Sequence, residues 1–183
     1  MTRTLSTLAL LSSLFTLAAS PAHAEEGAKE AKTFSSAVAD IGIVVKDLEK
    51  SAKFYTSVLG LTEVKGFSVP AEKTTEFGLT DNQPATVRVF VLDESAKPGT
   101  KLKIMSFPDA PGAQQDQKFI HSTLGVSYLT FFVTDMDAAV DRLAKAKVKL
   151  LGKTPAPLGG PNRLTVFRDP DGNFIELIGP SKK

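Results

Sequence analysis

Few side chains in this sequence have the chemistry of a catalytic or metal-binding group. The 183 residues contain no cysteine and only two histidines, His23 and His121. Disulfides, thiolate metal ligands and cysteine nucleophiles are therefore excluded, as is a site built from several histidines. His121 could act as an acid or base at a pocket mouth. Its place between two patterned segments instead favours a surface linker residue.

Four aspartates are candidate catalytic carboxylates, but each has a structural interpretation. Asp47 and Asp135 each follow a β-branched strand pattern and precede apolar residues at helical spacing. Both are therefore predicted to cap helices, where a carboxylate accepts the free N–H groups of the first turn. Asp169 and Asp171 flank Pro170 in a segment predicted to form a tight turn.

The elements that would position these residues occur twice. The first copy predicts a strand over 39–45, a helix ending near Gly60, a strand over 61–69, a polar loop and two further strands. The second predicts a strand ending at Asp135, a helix, strands over 148–152 and 163–168, and a last strand in NFIELIG, with the segment TPAPLGGPN as a turn. The predicted fold is α+β. Two βαβββ modules, 37–110 and 122–180, pair into a cupped, partly closed mixed sheet with helices on the outside.

The N-terminus has the features of an export signal. Arg3 precedes the apolar run 5–19, and small residues lead to Ala24. We interpret 1–24 as a cleaved signal peptide and 25–36 as a flexible linker, which predicts a secreted or periplasmic protein with no membrane association after cleavage. An uncleaved membrane anchor is the alternative. The net charge of +2 gives no reason to expect nucleic-acid binding.

Two strings carry a family resemblance. IGIVVKDLEKSAKFYTSVLGL and FRDPDGNFIELIG resemble the vicinal oxygen chelate superfamily, which includes glyoxalase I, bleomycin-resistance proteins and extradiol dioxygenases. The resemblance spans about 37–180, and it implies one glyoxalase-like domain of two paired modules. It does not choose among the binders, lyases, isomerases and dioxygenases of that group.

The resemblance also assigns the family's metal-ligand positions, which fall here on Asp40, Lys103, Tyr128 and Glu176. Only Glu176 is a usual ligand, and an ammonium group at Lys103 has no lone pair to offer a metal. We therefore expect no metal and no other cofactor. Lys103 is expected to pair with Asp40 and Glu176 where the ion would be. Two alternatives are Lys103 at a solvated rim, or Lys103 as a base or amine nucleophile; nearby carboxylates disfavour the second.

Strand alternation predicts which other side chains line a pocket. The predicted wall consists of Arg88, Phe90, Met105, Thr130, Phe132, Arg163, Phe167 and Phe174. Aromatic walls with a few charges are typical of small-molecule sites, although the same aromatics could fill a closed core. If the side chains of Arg88, Arg163 and Lys101 also point into the pocket, its positive charges outnumber its negative charges. This excess favours an anionic or carbonyl-rich ligand.

Three classes of function follow. The first is a metal-free, bleomycin-resistance-type protein that binds a small molecule in a cleft between the modules. The second is a metal-dependent lyase or dioxygenase with atypical ligands, and the third is a non-catalytic interaction module. Lys103 and Tyr128 favour the first class over the second, and the aromatic wall favours it over the third. The sequence leaves the ligand, the presence of catalysis and a homodimeric state open.

Overall fold

The computed structural model describes residues 33–182. The predicted signal peptide over 1–24 and most of the predicted linker lie outside these residues. From Ser36 onward the chain forms one compact unit. None of the helices within 33–182 combines the length and the apolar character needed to cross a membrane.

Between residues 33 and 182, eight strands and three α-helices occur in largely the predicted order. The first half contains β1 (Ile41–Val44), α1 (Leu48–Lys53), β2 (Thr62–Val69), α2 (Ala71–Glu76), β3 (Ala85–Val91) and β4 (Lys101–Met105). The second half contains β5 (Tyr128–Phe132), α3 (Met136–Lys145), β6 (Ala156–Gly159), β7 (Asn162–Arg168) and β8 (Phe174–Pro180). Asp47 and Asp135 cap α1 and α3 as predicted, since their carboxylates accept from the backbone N–H groups of Lys50 and Ala138.

The strands form two four-stranded mixed sheets, in the orders β1-β4-β3-β2 and β5-β8-β7-β6. In each sheet the first strand of the module runs parallel to the last, and the other neighbours are antiparallel. The α+β class and the repeated module are confirmed. The two sheets are separate in strand pairing, since no ladder joins β1 to β5 within the described residues.

Two local predictions are wrong. The second strand of the second module is Ala156–Gly159 rather than 148–152, and it lies in the segment predicted as a turn. Pro157 can occupy this strand because β6 is at the sheet edge, where a missing N–H costs no ladder bond. Helix α2 occupies part of the predicted polar loop. It is stabilised by the Thr74 hydroxyl, which donates hydrogen bonds to the backbone carbonyl oxygens of Ala71 and Gln83.

The helices α1 and α3 cover one face of the sheets, and a single hydrophobic core lies beneath them. This core takes Phe90 and Ile104 from the first sheet, Phe167 and Ile175 from the second, and Met136 from α3. One core therefore serves both modules. We call the opposite faces of the two sheets, turned away from α1 and α3, the open faces.

A π-helical turn over Phe54–Val58 continues α1 and brings two adjacent aromatic residues into that core. Phe54 and Tyr55 are both buried, with their rings in edge contact at 5.5 Å between centroids. Neighbouring helical residues are about 100° apart, so both can lie on the buried side of the helix.

The buried Tyr55 hydroxyl joins the two modules. It donates a hydrogen bond of 2.7 Å to Oδ2 of Asp169, which lies in the turn between β7 and β8. Burial raises the pKa of Tyr55 above its ordinary value, and the negative charge of Asp169 adds to this effect. The phenol therefore stays protonated and continues to donate. Asp169 also accepts from the backbone N–H groups of Asp171 and Asn173, so it forms the turn as predicted and anchors it to α1.

We predict that Tyr55→Phe lowers the free energy of unfolding by ~1.5–3 kcal/mol, the usual range for a lost hydrogen bond to a charged group. The chain's other tyrosine, Tyr128, is half-exposed and has no hydrogen bond within the described residues, so Tyr128→Phe is a matched control. Urea denaturation of the control should change by less than ~0.5 kcal/mol. Equal losses in the two variants would show that the Tyr55 hydroxyl does not link the modules.

Candidate functional site

The open face of the first sheet carries an ion pair at two of the family's metal-ligand positions. Lys103 Nζ lies 2.8 Å from Asp40 Oδ2, and Asp40 Oδ1 accepts from the backbone N–H of Lys101 at 3.2 Å. Both side chains are about one-third exposed, at 30% and 32%. The hydrogen bond from Lys103 is the largest influence that lowers the pKa of Asp40, although desolvation partly opposes it. The predicted contact between Lys103 and Asp40 is therefore present.

Glu176 does not join this pair. Its Oε2 accepts a hydrogen bond of 2.8 Å from the Thr130 hydroxyl, its cross-strand neighbour on β5. Among residues 33–182 no ion pair connects Glu176 with Lys103. The expectation of one cluster of three charges is wrong, because Lys103 lies next to Gly42 in one sheet and Glu176 lies in the other.

The side chains at the four family positions do not fit a divalent metal. Both oxygens of Asp40 are engaged, one by an ammonium and one by a backbone N–H. Tyr128 is half-exposed in the other sheet, and Lys103 has no lone pair to donate. The described part of the chain contains no group of three His, Cys, Asp or Glu side chains placed to hold a metal ion.

Two of the predicted wall residues in the first sheet lie on the helix side. Val87 pairs with Met105 and Val89 with Lys103, so Arg88 and Phe90 take the opposite face. Phe90 is fully buried in the shared core. The prediction failed because 85–91 and 101–105 were aligned one residue out of register, which reverses every side chain of a strand. Met105 does lie on the open face, against Val87 and Val89.

Arg88 has a structural role on the helix side. Its guanidinium contacts the Glu63 carboxylate through Nε at 2.7 Å and Nη2 at 2.6 Å, and it reaches Glu49 of α1 at 2.8 Å. The hydrogen bond with Glu63 raises the pKa of Arg88 and lowers that of Glu63. This arginine therefore ties α1 to β2 and β3 and does not face a ligand on the open side.

The same correction applies to two wall residues in the second sheet. Phe167 is fully buried in the shared core on the helix side. Arg163 lies four residues earlier on the same strand and therefore on the same side of the sheet. Thr130, Phe132 and Phe174 do belong to the open face, with Phe132 77% exposed. Without Arg88 and Arg163, the excess of positive charge that favoured an anionic ligand disappears.

A cleft of about 830 Å³ lies between the two modules. One wall is β1 with Gly42 and Val44, and the other is formed by Tyr128 and Phe174 of the second sheet. Phe174 is almost buried, and the Arg168 guanidinium lies 4.5 Å from the centre of its ring. The volume falls in the range of about 300–1,000 Å³ that is common for small-molecule sites.

The connection between the modules completes this cleft, and sequence analysis missed it. Gln114 donates from Nε2 to the backbone carbonyl of Asp171 at 2.8 Å, and Gln117 donates to Asn173 Oδ1 at 3.0 Å. Asp171 also accepts from the backbone N–H of Lys46. The signal that could have found these residues is the cluster of glutamines, QQDQ at 114–117, in the connecting segment.

His121 lies at the surface of the same connection. Its ring stacks on Phe119 with centroids 5.5 Å apart, and it does not line the cleft. A second cavity, of about 860 Å³, lies by the loop before β4 and is lined by Asp40, Lys101 and residues 93–99 among others.

Comparison with known proteins identifies the class. The model of the glyoxalase/bleomycin resistance protein/dioxygenase superfamily matches residues 37–177, and the chain belongs to this family. Lactoylglutathione lyase of Pseudomonas putida is 28% identical over an alignment of 149 residues that covers 75% of this chain and 81% of that protein.

Two solved structures show the same fold. A glyoxalase family protein from Bacillus cereus aligns with a TM-score of 0.65 and 23% identity, covering 78% of this chain and 92% of the other. TnmS3, an antibiotic binding protein from Streptomyces sp. CB03234, aligns with a TM-score of 0.51 and 26% identity, covering 80% and 97%. Relatives of this chain thus include both a lyase and a binding protein.

We predict that Lys103→Met lowers the free energy of unfolding by no more than ~1 kcal/mol at neutral pH, because the ion pair is partly solvated. The carboxyl pKa of Asp40 should rise in this variant, as measured by NMR titration of labelled aspartate. Lys101→Met is the control, since its main contact with Asp40 is through the backbone N–H, which the substitution keeps. An unchanged Asp40 pKa in Lys103→Met would contradict the pairing.

The pH dependence of this stabilisation has a definite sign. The pKa of Asp40 is lower in the folded than in the unfolded chain, so the ion pair stabilises the fold above the unfolded value of ~3.9. That contribution is lost as the pH falls through the lower folded pKa. The stability difference between wild type and Lys103→Met should therefore shrink below about pH 4. A difference that grows on acidification would contradict this assignment.

Proposed function

We propose that the protein is exported and binds a small organic molecule in the cleft between its modules, without a resident divalent metal at the family's metal position. The observation that carries the proposal is the 2.8 Å contact between Lys103 and Asp40. In this contact the Lys103 ammonium group pairs with the Asp40 carboxylate, which a metal ion would need as a ligand. The cleft and its aromatic wall supply the binding surface, and the likeness to an antibiotic binding protein supports this function class.

Metal-dependent lyase chemistry is the second candidate, favoured by the 28% identity with the lactoylglutathione lyase. It would require Asp40 to leave Lys103 and Glu176 to reach the same ion from the other sheet. We therefore predict well under one divalent ion per chain in elemental analysis after mild purification. One tightly bound ion that is lost in Glu176→Ala would favour the lyase instead.

We predict that binding depends on the ring of Tyr128. A thermal-shift screen of small organic molecules on the purified protein should yield stabilising compounds, whose Kd is then measured by calorimetry. Tyr128→Ala should raise the Kd roughly two- to tenfold, because an aromatic contact is worth ~0.5–1.5 kcal/mol.

The matched control is Phe77→Ala, because Phe77 is also an exposed aromatic residue but lies at the end of α2, outside the cleft lining. Its Kd should equal that of wild type. Equal weakening in both variants would place the binding site elsewhere, and a screen without a stabilising compound would count against a binding function.

Export is proposed from the N-terminal sequence. We predict cleavage after Ala24, so that mass spectrometry of protein from the periplasm or medium gives Glu25 as the first residue. An intact N-terminus on membrane-bound material would overturn this part of the proposal.

A further inference from the structure

The side of the intermodule cleft formed by the connecting segment is a wall of neutral amides. Gln114, Gln115 and Gln117 line the cleft together with Asn173. Carboxamide groups offer both hydrogen-bond donors and acceptors and carry no charge. Such groups recognise a ligand by the geometry of its hydrogen-bond donors and acceptors and not by an opposite charge.

Charged groups contribute little to the same cleft. Only Lys46 and Asp171 among its lining residues are ionic. The Asp171 carboxylate is already committed, with Oδ1 accepting from the Lys46 backbone N–H at 2.9 Å and Oδ2 from the Ser51 hydroxyl at 3.0 Å. A cationic ligand would therefore lose hydration here without an uncommitted carboxylate to pair with, and an anionic ligand has the Lys46 ammonium as its one opposite charge among the lining residues.

Two side chains of the amide wall are fixed through their nitrogen atoms. Gln114 Nε2 donates to the Asp171 carbonyl, and Gln117 Nε2 donates to Asn173 Oδ1. Gln117 Oε1 is buried against Gly172 and has no hydrogen-bond partner within the described residues, so a ligand donor reaches it only if the Gln117 side chain shifts. Gln115 is exposed, and its carboxamide is accessible to a ligand without such a shift.

The facing surface is apolar and open. Val44 and Val126 are 54% and 87% exposed, and both line the cleft beside the ring of Tyr128. A planar or compact apolar body could cover these side chains and remove them from water. The two sides of the cleft are therefore complementary to a ligand that has one apolar face and one edge with hydrogen-bonding groups.

We infer that the cleft selects an uncharged ring-containing molecule that presents amide or hydroxyl groups to Gln114, Gln115 and Gln117. The inference rests on the proposed binding function and specifies its ligand class. It replaces the anionic ligand suggested by the sequence, since Arg88 and Arg163 lie on the helix side of the sheets.

Three probes that share one ring system test this selection. Naphthalene-2-carboxamide is neutral, naphthalene-2-carboxylate is its anionic counterpart, and 2-naphthylmethylammonium is the cation. Their Kd values for the wild-type chain are measured by ligand-observed NMR at neutral pH. The carboxamide should bind about tenfold more tightly than the ammonium, the order expected when a charged group finds no partner in the site. It should also bind more tightly than the carboxylate, by a smaller factor, because Lys46 is the only cation in the lining.

A charge-changing variant locates the selection at the amide wall. Gln115 is exposed and has no hydrogen bond of its own among the described contacts, so Gln115→Glu should leave the fold intact. It should tighten binding of the ammonium probe several-fold and weaken that of the carboxylate. Gln83→Glu is the control, because Gln83 is the chain's only glutamine outside this segment and does not line the cleft.

The outcomes separate the inference from the proposed function. Tighter binding of the carboxylate or the ammonium probe than of the carboxamide would overturn the inference and leave a binding protein. The same result would follow if Gln83→Glu changed the order of the probes as much as Gln115→Glu. Failure of all three probes, together with an empty thermal-shift screen, would overturn the binding function itself.

Discussion

The hydrogen bond between Tyr55 and Asp169 is the contact on which the geometry of the site depends. It joins the helix of the first module to the β7–β8 turn of the second, in a fully buried position where an unpaired carboxylate or phenol would be costly. Asp169 in turn holds the backbone of Asp171 and Asn173, which line the cleft. Tyr55 lies in the π-helical turn that continues α1. This buried hydrogen bond thus connects the first module to one border of the cleft.

The family's metal positions show the opposite situation, since nothing in the fold holds them together. Asp40 finds its partner Lys103 on the neighbouring strand of the same sheet, and Glu176 finds Thr130 in the other. Each carboxylate is satisfied locally. The two modules therefore pair without a contact between these carboxylates. What remains between the modules is a cleft whose surface is apolar on one side and amide-rich on the other.

Sequence periodicity predicted the repeated module, the helix caps and the class of fold, because each depends on local patterns in the chain. The family resemblance predicted the Lys103–Asp40 contact. Strand alternation failed for Arg88, Phe90, Arg163 and Phe167, where a one-residue error in register exchanged the two faces of a strand. Sequence analysis also missed β6, whose proline and glycine are typical of turns and are accepted at a sheet edge. The cleft residues Gln114, Gln117 and Asp171 could not be assigned, because their proximity depends on how the connecting segment lies across both modules.

The central claim is that ligands enter the cleft between the modules beside the connecting segment. Backbone chemical-shift mapping of the isotopically labelled protein with naphthalene-2-carboxamide tests it most directly. The account predicts the largest shifts at residues 112–117, 126–129 and 171–174, which border the cleft. Shifts confined to residues 93–99 and Lys101, which border the second cavity, would contradict it.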